Sequence, residues 1–260
     1  MNIIVCIKQV PDTTDIRIDP VTNTLIRKGV DSIINPFDLY AIEEALRIKE
    51  QHGGKVTAIS MGPPQVESAL RDCVALGVDE IILLSDRKFA GADTLATSLT
   101  LSEAIKRIGE YDIILLGQQA IDGDTAQVGP GVAAHLKIPQ TCFVRKIERI
   151  LEDRIIVQRL MEDGYDRIEM TLPVVITVVK EINIPRLPSL RGKRNARKAT
   201  LTIWDAEKLE LDEKIIGLNG SPNQVVKIFS PNISKSGKKY QVSSDEAVEI
   251  LFDKLKELAN

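Results

Sequence analysis

Four apolar runs of strand length, separated by helix-length stretches, constrain the fold of this chain more than any other feature. They are "NIIVCIK" at 2–8, "KVTAISMG" at 55–62, "EIILLS" at 80–85 and "YDIILLG" at 111–117. Runs with no polar alternation belong to strands covered on both faces, as in parallel sheets. Between them, Asn35-Pro36 has the form of an N-cap followed by proline at the first helical position. Leu39, Ile42, Ala45 and Leu46 then fall on one helical face, and Gly53-Gly54 supplies the stop. Stretches 64–76 and 94–108 end in the same way, at Gly77 and Gly109. Repeated strand–helix units predict a parallel sheet between two helical layers, a Rossmann-like, flavodoxin-like α/β domain.

From Gln140 the rhythm changes. "TCFVRKIERI" and "RIIVQRLME", joined through "LEDR", read as a hairpin, and Pro173 opens a further apolar strand at 174–179. This predicts an antiparallel edge on the parallel sheet. After Ile182 the chain turns cationic and proline-rich, which predicts an extended arm outside the core. The expected division is therefore a nucleotide-binding domain at 1–182 and an arm with a C-terminal helix at 183–260. In that helix Ser244 reads as the N-cap, and Ala247, Ile250, Leu251, Leu255 and Leu258 form an apolar stripe that needs a cover, from this domain or from a partner.

Composition narrows the function classes. Among 260 residues, 34 Lys and Arg stand against 37 Asp and Glu, a net charge of -3 that argues against a dedicated nucleic-acid binder. No apolar run approaches the roughly 18 residues of a membrane span, and residues 1–10 do not read as a secretory signal. A cytoplasmic protein is expected. Cys6, Cys73 and Cys142 are isolated and sit among apolar residues, where a thiol serves as a small core hydrophobe. With two histidines, His52 and His135, the chain has little material for a zinc site or a Ser-His-Asp triad, and no metal site is expected. Redox or group-transfer chemistry here would fall to a cofactor, with no catalytic side chain of the protein's own.

The stretch "GQQAIDGDTAQVGPGVAAHL" at 117–136 carries the functional signal. Ligands of open parallel sheets bind beyond the carboxyl ends of the strands. Asp122-Gly123-Asp124-Thr125 reads as the opening of the next helix, whose free N–H groups suit a phosphate. Gly123 permits close backbone approach, while Thr125 and Gln127 offer side-chain hydrogen bonds. An acidic N-cap on an ordinary helix explains the same residues. By contrast, "KQVPDTTD" at 8–15 lacks the glycines of a nucleotide-hydrolysing loop after the first strand.

The chain resembles, over nearly its whole length, the beta subunit of electron-transfer flavoproteins. The resemblance rests on "VCIKQVPD" at 5–12, "INPFDLYAIEEALRIKE" at 34–50, "SMGPP" at 60–64, "GQQAIDGDTAQVGP" at 117–130 and "NIPRLPSL" at 183–190. It implies an alpha-subunit partner and an adenine nucleotide bound in this subunit's own sheet. Position by position, it puts ligand contacts on Cys6, on Asn35, Pro36, Phe37 and Asp38, and on Met61. The phosphate loop falls on Gly117, Gln118, Gln119, Ala120, Ile121, Asp122, Gly123, Asp124, Thr125, Ala126, Gln127 and Val128.

Housekeeping members hold AMP in that site. Bifurcating members hold FAD, which takes hydride from NADH and divides the electrons between ferredoxin or flavodoxin and an alpha-subunit FAD. Gly123 and the segment "DRKFAGADTLATS" at 86–98 are similar to the bifurcating type, with Asp93, Thr94 and Thr97 as hydrogen-bonding groups. Gln118 departs from it, since arginine is usual there.

In the basic segment, Arg186, Arg191, Lys193, Arg194, Arg197 and Lys198 have no acidic neighbour in sequence. The resemblance makes this an arm around the alpha subunit. It begins with a loop whose Leu190, flanked by Arg191, docks a partner dehydrogenase acting on CoA esters or hydroxy acids.

Overall fold

In the computed structural model, β1 (Asn2–Cys6) lies between β4 (Lys55–Met61) and β6 (Ile113–Gly117), parallel to both. The structure describes residues 1–12, 32–226 and 237–259, so the part of the 8–15 stretch beyond Asp12 lies outside them. These residues fall in two units, Met1–Val226 and Lys227–Asn260.

The first unit is built on a nine-stranded sheet of order β11-β5-β4-β1-β6-β10-β7-β8-β9. Here β5 is Glu80–Leu84, β7 Gln140–Ile150, β8 Arg154–Met161, β9 Gly164–Thr171, β10 Val174–Val178 and β11 Leu201–Trp204. The remaining strands, β2 (Gln9–Pro11) and β3 (Ser32–Ile34), pair with each other. Strands β11 to β7 run parallel, and β8 and β9 form the antiparallel edge. Both faces are apolar, in strict alternation. Ile3, Val5, Ile113 and Leu115 join one core cluster, while Ile4, Cys6, Ile114 and Leu116 join the other.

Helices α1 (Pro36–His52) and α2 (Glu67–Leu76) cover the first face through Ile42, Ala45, Leu46, Leu70 and Cys73. Helices α3 (Thr94–Ile108) and α4 (Val128–Leu136) cover the second through Leu101, Ile105, Val132 and Ala133. This is the expected three-layer α/β fold. The chain leaves β1 toward β4 and later returns, through α3, to β6 on the other side of β1. The order therefore reverses beside β1, the place where such sheets form a crevice for ligands.

Several expectations need correction. The segment after 182 is not wholly an extended arm, because the first unit continues to Val226. Its α5 (Leu190–Ala196) packs on α2, and β11 extends the sheet beside β5. Gly192 makes the first contact possible, since a Cβ there would stand 2.0 Å from the carbonyl oxygen of Ala75. Arg71 then donates to the carbonyls of Ala196 and Ala199 at 2.6 and 3.2 Å. Cationic composition concealed a helix whose attachment runs through its backbone.

Residues 64–66 form a 3-10 turn ahead of α2. Helix α4 starts at Val128, with Gln127 as its N-cap residue, and not at Asp122. Cys6 and Cys73 are buried core thiols as expected, whereas Cys142 is only partly buried.

The second unit contains α6 (Ser244–Ala259). Its cap is Ser243, one residue before the expected Ser244. Ser243 Oγ accepts from the Glu246 backbone at 3.4 Å, and the Glu246 carboxylate accepts from the Ser243 N–H at 3.1 Å, a reciprocal capping box. Of its stripe, Leu251, Leu255 and Leu258 are more than half exposed within this chain.

Candidate functional site

At the carboxyl ends of β1 and β6, one buried carboxylate organises the backbone. Asp38, in the first turn of α1, accepts from the Lys8 N–H at 2.7 Å and from the Gly117 N–H at 3.1 Å. Gly117 has no room for a side chain, because a Cβ would lie 2.5 Å from Asp38 Oδ1 and 2.6 Å from the Phe37 backbone. The helix N-terminus and the strand end are thus nearly in contact. Burial pushes the Asp38 carboxyl up to about 7 against the opposing pull of these N–H donors, of Asn35 and of Lys8. Burial, with Asp38 beside it, also pushes the Cys6 thiol up, so Cys6 stays a neutral wall of the crevice.

Asn35 occupies the N-cap position of α1, but its side chain does not cap the helix. Its Nδ2 donates to the Gln119 carbonyl at 2.8 Å, and its Oδ1 accepts from the Ile121 N–H at 3.1 Å. The residue is 1% exposed, so these bonds form away from water. They hold the loop after β6 as a neighbouring strand would.

Further along, Ala120 accepts from the Gly123 and Asp124 N–H groups, and the Gln119 side chain donates to Asp124. Asp122 is paired with Lys8 Nζ at 2.6 Å. Neither aspartate caps α4, which corrects the expectation drawn from their position. They shape the loop and tie it to β1.

The end of the loop has the form of an anion cradle. Asp124 and Ala126 both adopt left-handed φ values, 52° and 53°, which cost a non-glycine residue roughly 1–2 kcal/mol each. Gln127 follows in the right-handed region, at φ -101°. A left-handed residue followed by a right-handed one turns successive N–H groups toward one point, an arrangement that binds anions. Val128 and Gly129, the first residues of α4, find no acceptor for their N–H groups among the described residues. Gly123 is exposed, and a Cβ there would meet nothing within 4 Å. Neither packing nor a left-handed φ requires glycine at 123, so any such requirement must come from a bound molecule.

Helix α3 borders the same cradle. Thr94 Oγ1 donates to Gln127 Oε1 at 2.8 Å, joining the first turn of α3 to the residue before α4. Asp93 does not offer its carboxylate to the site as expected. One oxygen caps α3 through the Leu95 and Ala96 N–H groups, and the other accepts from Asn223. Burial raises its pKa, but these donors outweigh that and hold it below the usual carboxylate range. Thr97 is partly buried one turn further on, and Met61 closes the far side at the end of β4.

The structure therefore brings Cys6, the 35–38 segment, Met61, the 117–128 loop and Thr94 to one end of the sheet. It leaves Leu190 and Arg191 outside the cradle, at the start of α5. Sequence reasoning missed Lys8. Its position at the end of the first strand was legible, but its partner lies 114 residues away. A cavity of about 280 Å³ between Asn2, Lys55 and Glu110 lies at the amino ends of the strands, away from this site.

Sheet reversal, a glycine-bearing loop and a cradle of free N–H groups thus meet at the switch point of an α/β fold, in an arrangement with the form of an anion site. Comparison with known proteins then gives the family. The electron transfer flavoprotein domain matches residues 22–209. The electron transfer flavoprotein subunit beta of Thermoanaerobacterium thermosaccharolyticum is 55% identical over 98% of both chains. Subunit CarD of the caffeyl-CoA reductase-Etf complex of Acetobacterium woodii is 49% identical, over 99% of this chain and 98% of its own. Protein FixA of Azotobacter vinelandii is 47% identical over 89% and 84%. The chain belongs to the electron transfer flavoprotein family, as a beta subunit.

Proposed function

We propose that this subunit, paired with an electron-transfer flavoprotein alpha subunit, binds FAD at the carboxyl ends of β1, β4 and β6 and oxidises NADH there. The observation that carries this reading is Gly123. A Cβ there would meet nothing within 4 Å, and the Val128 and Gly129 N–H groups at the start of α4 have no acceptor among the described residues, which supports a dinucleotide lying against this backbone. Asn35, Pro36, Phe37 and Asp38 would border the adenine end, and residues 123–129 would meet the phosphates. Thr94 and Thr97 would line the approach from α3.

Bound FAD would supply the hydride- and electron-transfer chemistry, with NADH as donor and ferredoxin or flavodoxin and the alpha-subunit FAD as acceptors. The protein's own residues bind and orient it. Leu190 and Arg191 would dock a CoA-ester or hydroxy-acid dehydrogenase that exchanges electrons with the alpha-subunit flavin. Likeness to a subunit of a caffeyl-CoA reductase-Etf complex supports a partner of that class. No helix among the described residues is long and apolar enough to cross a membrane.

A second reading places AMP in the same site and makes the chain an electron-carrier subunit without NADH oxidation. It draws on Gln118, a neutral residue where a cation would favour flavin negative charge. Flavin stoichiometry of the purified heterodimer decides between the two. Two FAD per pair, one reducible directly by NADH, is the expected result. One FAD and one AMP in fully reconstituted protein selects the second reading.

A further inference from the structure

Away from the candidate site, a charge cluster joins α1 to the segment after β10. Arg186 donates from Nε to Glu43 Oε2 at 2.7 Å and from Nη1 to Glu50 Oε1 at 2.6 Å. Its backbone N–H also reaches Glu43 at 3.1 Å. Glu43 is 4% exposed and takes a further bond from Arg47. Burial raises the Glu43 carboxyl, yet the two guanidinium groups outweigh this and hold it below its ordinary value.

Three residues earlier, Asn183 Nδ2 donates to the Tyr40 carbonyl and to Glu44, both at 3.0 Å. Positions 40, 43, 44, 47 and 50 recur at helical spacing and share one face of α1. Residues 183 and 186 are therefore fastened to a single helical surface.

The other end of this segment is fastened separately. Ser189 Oγ accepts from the Gly192 N–H at 2.9 Å, and Gly192 lies against the backbone of α2. Between the two attachments, Leu187 is 89% and Leu190 88% exposed. Two large apolar side chains in water on a segment tied down at both ends form a preset projection. A flexible loop would instead lose conformational freedom on docking.

We infer that Arg186 is a positioning residue, whose bridge to Glu43 and Glu50 holds residues 187–190 in their docking conformation before the partner arrives. This rests on the docking reading of Leu190 given above. The partner surface that fits is an apolar socket with an acidic rim. Arg191, Lys193, Arg194 and Arg197 are exposed beside the leucines, and residues 183–198 contain no acidic residue. Arg186 itself contributes no free charge to that surface, because two carboxylates occupy it. Guanidinium suits the task because its planar fork reaches both carboxylates at once, which an ammonium point charge cannot do equally well.

The test uses the alpha–beta heterodimer with Arg186→Ala, Arg186→Lys, the milder Glu50→Gln, and Leu190→Ala alone and combined with Arg186→Ala. Backbone amide exchange at 186, whose N–H is bonded to Glu43, and at 192 and 193, whose N–H groups are bonded to Ser189, should accelerate about tenfold or more in Arg186→Ala and less in Glu50→Gln, while β1 and β6 keep their protection. Arg186→Lys should recover part of the difference. With a purified acyl-CoA dehydrogenase as probe acceptor, KM for the heterodimer should rise in Arg186→Ala at unchanged kcat and flavin content. The further effect of Leu190→Ala should then shrink in the Arg186→Ala background. If Leu190→Ala leaves KM unchanged, the docking reading itself fails. If Leu190→Ala raises KM but folded Arg186→Ala and Glu50→Gln alter neither exchange nor KM, the positioning role of Arg186 is overturned.

Discussion

The side chain of Asn35 and the backbone of Ile121, 86 residues apart, are joined by a hydrogen bond of 3.1 Å that closes the loop after β6 onto the start of α1. With the companion bond to Gln119, one amide satisfies two backbone groups of a loop that lacks strand neighbours of its own. The site thereby gains a fixed floor without a further strand.

Asn35→Ala should remove both bonds and leave two backbone groups to find water or go unpaired. Each unpaired buried group costs about 1–3 kcal/mol, so a loss near 2 kcal/mol is expected after partial rehydration. Urea unfolding should show a lower midpoint at constant slope, and the purified protein should retain less nucleotide. Normal stability together with normal nucleotide content would show that the loop holds its shape without Asn35.

Asp38 makes stability depend on pH with a definite sign. Its folded pKa of about 7 lies above the ordinary 3.8, so the folded state holds the extra proton between those values. The associated stabilisation is full below 3.8 and is lost as pH rises through 7. The slope approaches at most about 1.4 kcal/mol per pH unit. Asp38→Asn should flatten that part of the profile between pH 5 and 8. It should also cost about 1–3 kcal/mol overall, since the new NH₂ faces an N–H donor. Glu44, also raised, chiefly by burial, acts in the same direction in both proteins and cancels from the difference. Parallel wild-type and Asp38→Asn profiles would assign the slope elsewhere.

Two glycines of the same loop should respond in opposite ways to alanine. At Gly117 the new Cβ would press on the Phe37 backbone, which cannot step aside, so a loss of about 1–3 kcal/mol is expected. At Gly123 the Cβ meets only open space, and stability should change by no more than about 0.5 kcal/mol. Thermal unfolding of the two variants checks the contrast.

Gly123→Asp should keep the fold and lose the ligand. A like-charge pair near 4 Å costs roughly 4 kcal/mol at an effective dielectric of about 20. The α4 N-terminus can return at most about 2 kcal/mol, and it begins five residues further along. The heterodimer should retain its alpha-side flavin, lose FAD from this subunit and slow its NADH oxidation. Normal flavin content would reduce Gly123 to a turn residue.

Asp93→Ala should act on structure before function. It removes the cap of α3 and the anchor of Asn223, at a cost of about 1–2 kcal/mol. Protease cleavage should increase near residue 223, with flavin content little changed. Selective flavin loss without such loosening would instead return Asp93 to the ligand site.

By itself the sequence determined the layered architecture. Unbroken apolar runs such as 2–8 and 111–117 can be satisfied only by covering both faces, and Gly53, Gly77 and Gly109 end helices through local backbone chemistry. Local rules also placed Asn35 and Pro36 at the start of α1. They could not show where the Asn35 side chain would turn, because its partners lie 84 and 86 residues further along the chain. For the same reason Asp122 read as a helix cap until the fold brought Lys8 to it, while Asp93 was claimed by Asn223. The cationic stretch 186–198 was visible as charge. Only the tertiary structure divided it into Arg186, consumed by Glu43 and Glu50, and the exposed cations beyond it. Periodicity and capping act between residues a few positions apart and leave a trace in the chain. Hydrogen bonds and ion pairs spanning 86 to 143 residues arise where strands and helices cross, and that geometry exists only in the folded molecule.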